Sequence, residues 1–450
     1  LANCFKIPEL KSRIFFTLIV LGICRLAALI PAPGLDATAL KIFFESGGGA
    51  SGNSLLGMYS LFTGGGFEHC AVGTLSIMPY ISATIIIQLL TAVVPTLSKL
   101  AREEGGRAKI IQYGRYLTVL LCLGQGMAMA ISWENPKFIG EGIGRLVLYD
   151  NIWWYRIQTT LILTTGTVLL MWLGEQITER GIGNGISLII TIGILSRLPQ
   201  AGQGLYEMFF PPAGIDAKFN GFHGIALVLL LVGVVAGVIA VTQAQRKIPV
   251  QYAQRAVGRK VYSGGSSFMP LRVNYAGVMP VIFAQAILMF PAHIFNFLSK
   301  KMDVPFFGKI AGYLNPGSPL YLILYGLMIL FFSYFWVATQ FNELQIADDM
   351  KKSGGYIPGV RPGNATSDFL HRVMSRITLA GALFLTVIAV IPIILANAMA
   401  IPQAVAQFFG GTSMLIMVGV MLDTMRQMES HLLMRHYDGF LKKGRLKGRF

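Results

Sequence analysis

Ten apolar stretches of roughly 20 residues recur along this 450-residue chain, near 14–31, 73–94, 110–131, 152–173, 182–198, 222–241, 273–298, 318–338, 377–395 and 404–423. An α-helix rises about 1.5 Å per residue, so about 20 apolar residues carry it across a hydrocarbon core. The stretches lack the strict alternation of barrel strands, and lipid supplies no partner for open backbone groups, so helices are the only spans they can form. Charged residues make up 13% of the chain, against roughly 25% in a soluble domain. The 51 glycines suit close helix packing and broken helices. One integral bundle is expected rather than a string of soluble domains.

The surplus of 37 Lys and Arg over 21 Asp and Glu fixes an orientation. Placing the N-terminus inside and alternating after each span puts 27 of the 37 cations in inside segments and 9 outside, with Arg25 within the first span. An odd number of spans spoils this asymmetry. Lys6, Lys11 and Arg13 before an apolar run look like a secretory signal, but the run extends from Ile14 to Ile30 and many spans follow, so it is read as a retained first helix.

Chemistry-bearing motifs are scarce. Cys4, Cys24, Cys70 and Cys122 form no CxxC or metal-ligand spacing, so neither a disulfide framework nor a metal is expected. GIGNG at 181–185 follows no strand and lacks GK[ST], which argues against a phosphate loop. Asn364-Ala365-Thr366 matches a glycosylation sequon but falls inside. With no HExxH and no GxSxG, covalent catalysis has no apparatus, and no cofactor is expected.

Two inside loops, 242–272 and 339–376, are unusually long. The first carries Arg246, Lys247, Arg255, Arg259, Lys260 and Arg272, which read either as a topology signal attracted to anionic lipid or as a docking surface for a large cytosolic partner. After the Gly/Ser-rich stretch Ser46–Gly52 come Leu55, Leu56, Met58, Tyr59, Leu61 and Phe62, apolar but too short to span. They form an interfacial or re-entrant element, or an amphipathic helix on the outer surface.

Six strings identify the relatives: IMPYISATIIIQLL at 77–90, MWLGEQITERGIGNGISLII at 171–190, RKIPVQYAQR at 246–255, MPLRVNYAGVMPVIF at 269–283, KKSGGYIPGVRPG at 351–363 and GGTSMLIMVGVMLDTMRQ at 410–427. They closely resemble the SecY/Sec61-alpha family, in family order from about residue 6 to the C-terminus. The resemblance implies an all-α membrane protein of ten transmembrane helices in two pseudo-symmetric five-helix halves, 1–200 and 201–450, closing like a clamshell around an hourglass pore. It implies the central subunit of a protein-conducting channel, which moves unfolded secretory proteins across a membrane and releases hydrophobic segments laterally into lipid.

Carried over residue by residue, the family's apolar pore ring falls on Ile77, Ile81, Ile186, Ile190, Ile282 and Ile416. Ile77/Ile81 and Ile186/Ile190 are i, i+4 pairs that stack on one helix face, and an apolar constriction opposes water and ions by dewetting. Without the motifs, each would be read as facing lipid or neighbouring helices. The family's plug corresponds to about 54–68, and Gly64-Gly65-Gly66 before Phe67 would supply a hinge. The lateral gate between spans two and seven, helped by three and eight, places Gln88 and Asn274 at the seam, with ordinary interhelical polar contact as the alternative.

The long loops correspond to docking sites for the motor ATPase SecA and the translating ribosome, and Arg361 in GVRPG matches the arginine of the family's IRPG-like string. Implied partners are SecE and SecG in a heterotrimer, signal peptides and unfolded preproteins, membrane lipids, SecDF and YidC. The implied location is the bacterial plasma (inner) membrane with both termini cytoplasmic. A secondary transporter and an intramembrane hydrolase are the rival classes. A transporter should carry midplane carboxylates or a compact solute site, yet the clear ionisable candidate inside a span is Arg25. It is either functional or a structural cation reaching a partner or the interface.

Overall fold

The computed structural model describes residues 7–45, 59–60, 63–103, 105–135, 146–210, 221–252, 255–257, 260–262, 266–302, 305–315, 318–398, 405 and 412–443. Its helices are α1 Pro8–Leu29, α2 Thr38–Glu45, α3 Met78–Val93, α4 Pro95–Arg102, α5 Gly106–Glu134, α6 Ile152–Arg180, α7 Gly185–Leu195, α8 Leu198–Phe209, α9 Gly221–Gln243, α10 Met279–Met302, α11 Pro305–Tyr313, α12 Pro319–Gln340, α13 Glu343–Ser353, α14 Asn364–Ala398 and α15 Thr412–Lys443.

Local chemistry explains many of their starts. Proline occupies the first turn of α1, α3, α4, α8 and α12, where no backbone N–H is required. The Asn151, Asn184, Ser318 and Asn342 side chains cap α6, α7, α12 and α13 by accepting backbone N–H groups. Pro95 forces Val94 into extended backbone, and the chain turns by 103° between α3 and α4.

Among the described residues, each of the ten apolar stretches overlaps a helix. Among the described residues, seven helical segments are long and apolar enough to cross a membrane: Pro8–Leu29, Gly106–Glu134, Ile152–Arg180, Gly185–Phe209, His223–Gln243, Pro319–Ser353 and Asn364–Leu395. The bent pair α3 and α4 makes an eighth. The other two stretches fall on α10, apolar over Met279–Leu288, and on α15, whose apolar start gives way to Asp423 and Arg426. Phe15, Leu18, Leu120, Ile225, Leu229, Ile323 and Phe384 are exposed on these helices, as lipid-facing positions must be.

Helices α1, α3, α5, α6 and α7 pack among themselves, as do α9, α10, α12, α14 and α15. Between these groups α3 lies against α10, and α7 against α15. A single apolar cluster crosses both contacts, drawing Ile85 from α3, Ile177 from α6, Ile194 from α7, Val238 from α9, Phe283 from α10, Tyr325 from α12, Leu385 from α14 and Leu415 from α15.

The two ends of the bundle differ. One carries an antiparallel sheet in the order β4-β1-β5, from Ser266–Arg272, Gln245–Tyr252 and Gly355–Tyr356, with the small hairpin β2 Arg255–Val257 and β3 Lys260–Tyr262 at its tip. This ribbon is a supplement to the all-α expectation. Ile248 pairs with Met269, and Gln251 with Tyr356, so both long loops join one structure over an apolar base containing Leu271, Phe341, Ile357 and Leu370. At the opposite end Ala32, Tyr59, Phe67, Leu75, Trp133, Leu146 and Tyr155 form a second cluster. Backbone bonds Ala32 N to Cys70 O (2.8 Å) and Asp36 N to Leu146 O (2.8 Å) tie its loops together.

Candidate pore, seam and docking face

Four helix segments supply the six expected ring residues. Ile77 caps α3 and Ile81 lies one turn on, the Ile81 N–H donating to the Ile77 carbonyl at 3.1 Å. The tight α6–α7 turn aims the next pair: Gly183 has φ +89°, its N–H donates to Gln427 Oε1 at 2.9 Å, and Asn184 Oδ1 accepts from Ile186 N and Ser187 N. A Cβ on Gly185 would lie 1.9 Å from the Gly174 carbonyl oxygen, so only glycine lets α7 leave α6 this closely. The GIGNG string therefore builds a helix-to-helix turn.

Ile77, Ile81, Ile190, Ile282 and Ile416 are all buried in the shared central cluster. Ile186 differs: it is half-buried, and its Cγ1 lies 3.6 Å from the position of a Cβ on Gly174, against α6. What the structure assembles is one apolar cluster with contributions from both helix groups.

At the seam, Gln88 is half-buried on α3. Asn274 is buried before α10 begins, and its Nδ2 donates to the Gly277 carbonyl at 2.9 Å. That bond stabilises the turn into α10, where Gly277 has φ +63°.

At the end remote from the sheet, Tyr59, Ser60 and residues 63–68 are the described members of the expected plug; Leu55, Leu56, Met58, Leu61 and Phe62 lie outside the described residues. Tyr59 is buried, its hydroxyl donates to the Thr74 carbonyl at 3.0 Å, and its ring meets Phe67 edge-on at 5.7 Å. The glycine run has the unusual angles expected of it, φ +60° at Gly64 and +92° at Gly65, and it is buried. Arg25 Nη1 donates to the Gly64 carbonyl at 2.8 Å, which gives the intramembrane cation a partner. Arg197, just beyond α7, clasps Glu68 through two bonds of 2.7 and 2.9 Å and also donates to the Ser60 hydroxyl. Burial, with Lys41, Arg197 and Arg25 acting in the same direction against Glu68, holds the neighbouring His69 imidazole below its ordinary pKa. Nothing in the sequence paired Glu68 with Arg197, which are 129 residues apart.

On the sheet end, Arg246 and Lys247 are exposed on β1 and Arg361 is exposed in the turn before α14, where its carbonyl accepts from Thr366 Oγ1 at 2.9 Å. Arg255 and Lys260 fall on β2 and β3; Arg259 lies outside the described residues. β1 pairing with β5 brings the two cationic loops to one face.

Comparison with known proteins adds a family. The SecY family model matches residues 71–425. Protein translocase subunit SecY of Chlamydia trachomatis is 43% identical over 456 positions, covering 100% of this chain and 99% of that relative. A solved structure of a protein conducting channel has a TM-score of 0.61 at 21% identity, covering 99% of both chains. Sec61 in a canine ribosome-channel complex from the endoplasmic reticulum has a TM-score of 0.58 at 20% identity, with the same coverage.

Proposed function

The chain belongs to the SecY family, and from that premise we propose that it is the channel-forming subunit of a protein translocase: it passes unfolded secretory proteins through the bundle and releases hydrophobic segments sideways into lipid. The observation that carries this reading is the waist. Buried isoleucines from α3, α7, α10 and α15 meet in one apolar cluster across two packed groups of helices. Apolar side chains offer no hydrogen bond to a passing polypeptide, and while closed they exclude water and ions.

In this reading each site takes the role that the resemblance implies. Ile77, Ile81, Ile186, Ile190, Ile282 and Ile416 form the ring, with Ile186 contributing less because it leans on α6. The α3–α10 contact is the lateral gate. Gln88 and Asn274 line it, and Asn274 also shapes the entry to α10. The halves divide at about residue 200, near the start of α8. The segment 54–68 is the plug, which closes the pore from the end opposite the sheet.

The sheet end faces the cytoplasm, as the cation distribution requires, and with it both termini in a bacterial plasma membrane. Its exposed Arg246, Lys247 and Arg361, with Arg255 and Lys260 on the hairpin and Arg259 of the same loop, receive SecA or a translating ribosome, and ribosomal phosphates suit such a surface. The canine neighbour, solved in a ribosome-channel complex, supports the ribosome as partner. SecE and SecG complete the channel, and SecDF and YidC act beside it. Driving energy comes from these partners; the channel itself makes and breaks no bond, and is not an enzyme. Reconstitution with SecE and SecG in lipid vesicles tests the function: ATP- and SecA-dependent protection of a presecretory protein is expected, and solute uptake without preprotein transport would overturn it.

A further inference from the structure

We propose that Ser60, Glu68 and Arg197 form a polar latch that holds the plug in its closed position by tying it to the outer end of α7, while Arg25 and Gly193 fix the root on which the plug moves. This deepens the channel reading and rests on it.

The latch is one connected set of contacts. Arg197 Nη2 reaches Glu68 Oε1 at 2.7 Å and Nη1 reaches Glu68 Oε2 at 2.9 Å, the paired geometry in which a guanidinium holds a carboxylate best. Ser60, within the expected plug, donates its hydroxyl to Glu68 Oε1 at 2.9 Å and accepts from Arg197 Nη2. Gln200 also accepts from Arg197 Nη1. The ionic side chains are largely buried, with exposures of 13% and 12%. Exposed ion pairs contribute little, but removing one partner from a buried pair leaves an uncompensated charge.

The root is built differently. Arg25 on α1 holds the Gly64 carbonyl at 2.8 Å. A Cβ on Gly64 would stand 2.9 Å from Gly193 Cα, so the plug's root lies backbone to backbone against α7. The Ser196 hydroxyl, bonded at 2.7 Å to the Gly193 carbonyl, faces the same Gly64 oxygen. Displacing Ser60 requires it to leave Glu68 and Arg197, whereas the Gly64 contacts can persist.

Position along α7 makes the arrangement more than packing. Ile190 in the ring, Gly193 at the root and Arg197 at the latch follow one another within about 10 Å along the axis. A rotation or outward shift of α7 that withdraws Ile190 from the waist also moves the cation that holds the plug. Opening of the ring and release of the plug are thereby coupled through one helix.

The test is a charge exchange. Arg197→Glu and Glu68→Arg are made singly and together, with Ser60→Ala as a change that removes one hydroxyl, and Leu229→Ser on the lipid face as control. Each complex is purified with SecE and SecG and compared for protein level, resting ion conductance in planar bilayers, and transport of a precursor with a defective signal. Each single reversal should raise resting opening and defective-signal transport at least tenfold, Ser60→Ala by about threefold, and the exchange should return both toward the parent. Single reversals made at normal level that seal like the control, or an exchange as leaky as either single, would overturn the latch. If the reversals do not accumulate, Ser60→Ala decides alone, and a parent-like seal overturns the proposal. A parent complex that transports no precursor would overturn the channel reading itself, a result separate from the latch.

Discussion

Replacing a ring isoleucine by serine should make the resting channel leak and relax its demand for a good signal sequence. Ile81 and Ile190 are 4% and 2% exposed, so nearly the whole side chain is buried. Burial of such a side chain contributes about 1.5–3 kcal/mol, and the cavity left by truncation adds to the loss. Where those contacts exist only in the closed state, the loss shifts the closed-to-open equilibrium, at about tenfold per 1.4 kcal/mol. Ile81→Ser and Ile190→Ser should therefore open the resting channel about 10- to 100-fold more often. Ile→Leu should do little, since volume and polarity are nearly kept. Ile186→Ser should have the smaller effect of a half-buried side chain. Single-channel conductance and export of a precursor with a defective signal are the assays, with Leu229→Ser, 70% exposed on α9, as the control. Ring and control variants that behave alike would show that these isoleucines only pack helices together.

Arg361→Glu should impair SecA-driven transport several-fold at normal membrane level, because it reverses a charge on the exposed turn before α14 and alters no span; unchanged transport would remove Arg361 from the docking face. In a Cys4→Ser background, Lys352→Cys on the sheet end should react with an impermeant maleimide only from the cytoplasmic side, and Leu148→Cys only from the opposite side, since the remaining Cys24, Cys70 and Cys122 are buried; reversed labelling would invert the topology. Gly185→Ala should destabilise the protein by about 1–3 kcal/mol or more through overpacking, because its Cβ would lie 1.9 Å from the Gly174 oxygen, whereas Gly233→Ala, with nothing within 4 Å, should leave the melting temperature in detergent nearly unchanged.

Much of this architecture is written in composition and order. The apolar stretches mark every long helix because lipid permits few alternatives, and the six strings carry the family resemblance that the 43% identical relative bears out. The fold is that of the protein-conducting channels it resembles.

Other features depend on distant contacts and were not legible. The β1–β4 ribbon leaves only Ile248, Val250 and Leu271 buried along two strands, a pattern too short to stand out among cations. Arg25 could be noticed but not explained, since its partner is a backbone carbonyl 39 residues away. The Glu68–Arg197 pair joins residues that look like ordinary loop charges. Spacing placed Ile186 correctly on its helix but could not reveal that Gly174 leaves room for it to lean on α6.

The central claim is that a polypeptide passes through the waist formed by Ile77, Ile81, Ile190, Ile282 and Ile416. Its most direct test is site-specific photocrosslinking to a preprotein arrested in transit, with the reactive group placed at Ile81, at Ile282 and at Leu229. The account predicts adducts to the arrested chain from Ile81 and Ile282 and none from Leu229; adducts from Leu229 with none from the two waist positions would contradict it.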